Sequence, residues 1–214
     1  MVRNVGASAE LRKRQIVDSA MHCFQHKGYV HTTMEDIAAA CGMSKASITW
    51  YYPSKKAVLS DLFQSWMEET LVNVAHETAV CSSYRDKLIR MGEFFIESLM
   101  KNLELYSALV VFWSMASEDE SMRDQIMELY REYDGIVCSF LYQGEMQGEF
   151  RVPDKKVFSV LLIAVIEGLI VRQVLSRDLD LMRIRKEMRS MLAGFLNTAL
   201  GENARNHFEC GRQE

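Results

Sequence analysis

The sequence predicts an all-α fold, and three observations carry that expectation. Apolar residues recur at helical spacing from Leu11 to Ala199, and strand-like alternation with turn signals appears nowhere. Only two prolines, Pro53 and Pro153, and 11 glycines interrupt 214 residues. Hydrophobic residues make up 49% and charged residues 25%, a globular balance in a chain long enough for one large domain or two small ones.

The elements follow in order. "SAELRKRQIVDSAMHCFQHKG" puts Leu11, Ile16, Val17, Ala20, Cys23 and Phe24 on one side of a helix that Gly28 ends as a C-cap. "HTTMEDIAAACG" opens with a capping box, in which Thr32 with Glu35 and Thr33 with Asp36 fit equally well. Gly42 closes this short helix. Ser44 caps a second one, from about Lys45 to Tyr51, and Pro53 stops it by turning Tyr52 out of helical geometry. Ser54 caps a long helix reaching about Val80. The segments "SYRDKLIRMGEFFIESLM", "LELYSALVVFWSMA", "SEDESMRDQIMELYREYDGIVCSFLYQGEM", "PDKKVFSVLLIAVIEGLIVRQVL" and "DLMRIRKEMRSMLAGFLNTAL" supply the remaining helices. The predicted division is an N-terminal module over residues 1–56, a body over 57–200 and a loose polar tail over 201–214.

Two helices of about two turns each are unstable alone. Joined by "CGMS", they make sense packed at a steep angle, as a helix-turn-helix. Gly42 suits the positive φ of the tight turn, and Ile37 and Ile48 plug the shared core. Trp50, Tyr51 and Tyr52 are consecutive, so they cannot all face one core. Tyr52 is assigned to the core, and Trp50 and Tyr51 to a surface where an apolar ring with a polar tip meets DNA. Charge agrees in direction. Residues 1–56 hold eight Lys/Arg against four Asp/Glu, and the remainder 17 against 25, for a net −4.

The stretch "TTMEDIAAACGMSKASITWYYPSKKAVL" resembles the N-terminal domain of TetR-family transcriptional regulators. Thr33, Ile37, Ala38, Gly42, Ser44, Ile48, Tyr51, Tyr52, Ser54, Lys55 and Leu59 match its pattern, and the helix before it fits as well. Cys41, Ala46 and Thr49 depart from that pattern, which mostly has alanine, glycine and tyrosine there. The second half resembles the choline-regulator-like branch. The resemblance implies a repressor that binds a palindromic operator as a homodimer, with no cofactor, in the cytoplasm. On it, Thr33, Ser44, Lys45, Trp50, Tyr51 and Lys55 are DNA-contacting residues, mainly through phosphate. Ala46, Ser47 and Thr49 read bases, and Lys45 is a candidate for both. A small hydrophobic or cationic effector is expected between the middle helices, with Met91, Phe95, Tyr106, Trp113 and Glu167 as candidate liners. Leu169, Ile184, Met188, Met191 and Phe195 are candidate dimer residues, since the apolar face of the last helix needs a partner surface.

Other chemistries are weaker. No P-loop, G-x-G-x-x-G, G-x-S-x-G or H-E-x-x-H occurs, so an enzyme is not expected. His22 and His26 share a face, but no third ligand stands at matching spacing, and they are assigned to the surface. The five dispersed cysteines suit reduced thiols. No signal peptide is visible, and "LLIAVIEGLIV" is too short to span a bilayer and is assigned to a buried helix. Glu167 sits within it, and its neighbours three and four residues away are apolar. It needs a hydrogen-bonding group from elsewhere, an exposed edge, or a ligand. The competing function is an all-α ligand-binding or adaptor protein that does not use its DNA-binding module.

Overall fold

The computed structural model describes the backbone of residues 5–209 and the side chains of residues 9–196. Among these residues it contains nine α-helices and no strand: α1 (Val5–His31), α2 (Met34–Cys41), α3 (Lys45–Tyr51), α4 (Lys55–Ala79), α5 (Tyr84–Lys101), α6 (Leu103–Ala116), α7 (Glu120–Met146), α8 (Lys155–Ser176) and α9 (Leu181–Glu209). Local chemistry sets the ends. α1 kinks at Gly28 (φ 74°) and continues to His31, where the sequence suggested a stop. The capping box of α2 belongs to Thr33 and Asp36, because Thr32 is buried and its hydroxyl donates to the Gly28 and Cys23 carbonyls. Asp154 caps α8 through the Val157 N–H. α9 runs past Gly201 to Glu209, so the stretch expected to be loose is helical that far; residues 210–214 lie outside the described residues.

The chain forms two compact units. The first comprises residues 1–70 and 102–126. Its core joins Ile16, Ala20 and Phe24 of α1, Ile37 of α2, Ile48 of α3 and Leu59 and Phe63 of α4. Phe112 of α6 stacks flat on Phe63 at 4.1 Å, which brings a distant segment into this unit. The unit extends into α4 and takes in α6 and the start of α7.

The second unit comprises residues 71–101 and 127–214. α5 packs on α8 and α9, with Leu88, Ile96 and Leu99 buried. Met188 of α9 fills the space above Gly92 of α5, where a side chain on residue 92 would collide with it. Charges bind the same elements. Arg90 reaches Glu77 (2.8 Å) and Glu97 (3.0 Å), Arg185 reaches Glu97 (2.7 Å), and Arg189 reaches Glu93 (2.7 and 3.1 Å). The paired Arg90 guanidinium pulls the Glu97 carboxylate below its ordinary pKa.

Candidate nucleic-acid interface

The helix-turn-helix is built from caps and one plug. Gly42 adopts φ 65°, and its N–H meets the Ala39 carbonyl while that of Met43 meets Ala38, a Schellman closure of α2. Ser44 starts α3 by accepting the Ser47 N–H at 3.1 Å. Within the seven residues of α3, only Ile48 is buried. The three aromatics diverge as helix geometry requires. Trp50 is 77% exposed, Tyr51 is half-buried with Trp50 edge-on at 4.7 Å, and Tyr52 is buried with its hydroxyl on Asp61.

Lys45, Ala46, Ser47 and Thr49 are exposed, as is Ser44. The Lys45 ammonium pairs with Glu35 of α2 at 2.5 Å, both side chains well exposed, and this pairing lowers the Glu35 pKa. An ion pair this exposed is weak and screened, so Lys45 can exchange Glu35 for another anion. The Ser44 and Ser47 hydroxyls pair at 2.8 Å. Thr49 donates its hydroxyl to the Lys45 carbonyl at 2.9 Å, which leaves it an outward acceptor and a methyl group.

Two expected phosphate contacts are already engaged. The Thr33 hydroxyl both donates to Asp36 (2.9 Å) and accepts its N–H (3.1 Å). The Lys55 ammonium donates to the carbonyls of Tyr29 (2.6 Å), Thr32 (2.7 Å) and Val30 (3.2 Å), and lies 4.3 Å from the Tyr29 ring centre. All three of its donors are engaged within the protein. Sequence offered no signal for this, because backbone carbonyls carry no residue identity.

The candidate effector residues divide between the units. Met91 and Phe95 are buried in the second, Phe95 edge-on to Tyr133 at 5.3 Å. Glu167, also in the second, accepts a hydrogen bond from the Tyr130 hydroxyl at 2.6 Å, and burial raises its pKa. Tyr106 and Trp113 lie in the first unit, Tyr106 fully buried and the Trp113 Nε1 buried without a hydrogen-bond partner. Sequence missed Tyr130 and also Gln125, whose Nε2 donates to Ser60 while its Oε1 is buried and unpartnered.

Of the candidate dimer residues, Met191 (73%) and Phe195 (51%) are exposed, Leu169 and Ile184 are half-buried, and Met188 is buried against α5. All five line an apolar groove of about 550 Å³ between α8 and α9. α8 was expected to be buried. In the single chain it is largely open, with Leu161 and Val165 exposed, although its 22 residues are long and apolar enough to cross a membrane. His22 and His26 sit 4.3 Å apart on the surface of α1, and no metal-capable cluster of three occurs among the described residues.

Comparison with known proteins places these features. Residues 16–62 match the model of bacterial regulatory proteins of the tetR family, and residues 84–197 that of the BetI-type transcriptional repressor C-terminal region. The chain is 22% identical over 187 residues to the HTH-type transcriptional regulator TtgR of Pseudomonas putida, covering 83% of this chain and 87% of that protein. A transcriptional regulator from Saccharomonospora viridis in complex with choline shares the fold at TM-score 0.74 and 24% identity, over 86% of this chain and 95% of that one. FadR of Bacillus subtilis in complex with stearoyl-CoA does so at TM-score 0.72 and 20% identity, over 84% and 97%.

Proposed function

Since this chain belongs to the TetR family of bacterial transcriptional regulators, with a BetI-type C-terminal region, we propose that it is a repressor that binds a palindromic operator as a homodimer and lets go when a small molecule binds. The observation that carries this reading is α3. It is a capped helix anchored by Ile48 alone, with Lys45, Ala46, Ser47, Thr49 and Trp50 all turned to solvent. Lys45 and Trp50 hold phosphate and sugar, and Ala46, Ser47 and Thr49 meet base edges. The Thr49 acceptor suits an amino group on a base edge, and its methyl suits the methyl of thymine.

A second copy covers the α8–α9 groove. Leu161, Val165, Met191 and Phe195 expose a continuous apolar surface, of the kind that marks an interface. Two linked heads then meet two half-sites on the DNA. The effector is hydrophobic or cationic: within the second unit, Glu167 and Tyr130 favour a positive charge.

An electrophoretic shift with palindromes from the region upstream of the protein's own gene tests the reading. A specific complex that weakens steeply with added salt supports it. No complex on those palindromes or on random duplex would leave a ligand-binding protein that does not use its head. Phe195→Glu is expected to yield monomers in sedimentation and to abolish full-site binding; a monomer binding with native affinity would refute the dimer. Titrating choline into the operator complex, with Glu167→Gln beside wild type, tests the cationic effector. Release in wild type and a weakened response in the variant support it.

A further inference from the structure

We propose that Lys55 is a positioning residue for DNA recognition: its ammonium ties the end of α1 to the start of α4, closing the base of the loop that carries α2 and α3. This inference rests on the regulatory reading above. Lys55 and its carbonyl partners lie 23 to 26 residues apart in sequence, and the segment between them is the whole helix-turn-helix. The tie therefore acts where that segment leaves one helix and joins the next.

Its chemistry is complete. The last carbonyls of a helix lack partners within it, and the field at a helix C-terminus favours a cation. Two carbonyls from the end of α1, those of Tyr29 and Val30, and that of Thr32 just beyond it converge on one tetrahedral ammonium, and the Tyr29 ring adds cation–π attraction. Burial lowers the Lys55 pKa without any opposing carboxylate. The tied segment is itself braced, since the Thr32 N–H and hydroxyl both bond to Gly28. Thr33, the next residue, caps α2. At the other end, Tyr52 leaves α3 and anchors on Asp61 of α4. Both ends of the reading pair are thus held, and Lys55 joins them. The neighbouring Lys56 faces elsewhere, pairing with Asp119.

A tie and a phosphate contact respond differently to the same substitutions. Arginine keeps the charge but is a planar fork, and it cannot match three converging carbonyls. For a tie, Lys55→Arg and Lys55→Met both weaken operator binding, by roughly tenfold or more, as expected for losing charged hydrogen bonds. Random duplex is bound about as before, and the slope of log affinity against log salt is unchanged. For a phosphate contact, Lys55→Arg binds like wild type, while Lys55→Met loses about 0.9 from the slope and weakens on all sequences alike. That result would overturn the inference. So would a lower melting temperature with native operator affinity well below it, which is a structural role only.

The wild-type protein gives a second measurement, which stands even where a variant fails to fold. The ¹⁵N signal of the Lys55 ammonium is expected to be slowed in exchange in the free protein and unmoved on adding operator. A shift on adding operator refutes the tie. Wild type that binds no DNA ends the regulatory reading together with this inference. Wild type and Lys55→Arg that bind operator equally well end the inference alone.

Discussion

The first unit and the second use charge in opposite ways. Around the helix-turn-helix of the first, Lys45 with Glu35 is an exposed pair, and Lys27 with Asp36 is exposed on the lysine side. In the second, Arg90 with Glu77, Glu93 and Glu97, joined by Arg185 and Arg189 of α9, forms a network in which Glu93 and Glu97 are shielded from solvent. Exposed pairs are weak and exchangeable, whereas removing one member of a shielded network strands the others. Lys27 and Lys45 of the head can change partners, whereas the helices of the body are held together.

Breaking the body network is the largest expected effect. Arg90→Ala leaves three carboxylates without their shared cation and is expected to cost about 3 kcal/mol in urea unfolding. A loss no greater than that of an exposed pair would erase the contrast between the units. Next comes the α2 cap. Thr33→Ala removes one side of the capping box and is expected to cost about 1 kcal/mol, with operator binding falling alongside stability.

The pH dependence separates the units further. Asp36 is held at about 2, first by the Lys27 ammonium and then by the Thr33 N–H and hydroxyl, below its ordinary 3.8. Its stabilising effect is present above pH 3.8 and is lost as pH falls through about 2. Glu167 goes the other way. Its pKa is raised above 4.5, so its contribution is complete below 4.5 and is lost as pH rises through the folded value. Glu167→Gln is expected to flatten that upper region in a pH series of unfolding midpoints and to leave the acid limb in place. The smallest effect is Glu35→Gln. It should not move the unfolding midpoint, while operator affinity holds or rises as Lys45 loses its competitor; a fall in affinity would mean that the pair positions Lys45 rather than screening it.

The same contrast governs what was legible in the sequence. The head's helix ends are written locally, in Thr33, Gly42, Ser44 and Pro53, because caps and turns act within a few residues. Trp50, Tyr51 and Tyr52 could be sorted by helix geometry alone. What escaped was held by partners remote in sequence. Nothing in the sequence pointed Lys55 to carbonyls at residues 29–32, Glu167 to Tyr130 or Phe112 to Phe63. α8 was misjudged for a different reason. A run apolar on all sides signals burial without saying whether the same chain provides it, and here Leu161 and Val165 remain open.

The anchoring of α3 by a single buried side chain bears on how such a protein diverges. Ile48 and two caps hold the helix, and the residues that face outward contribute little to folding. Exchanges at Ala46, Ser47, Thr49 or Trp50 can therefore accumulate between duplicated copies of the gene with little selection from stability. On the function proposed above, each copy is free to drift to a new operator while keeping the same body.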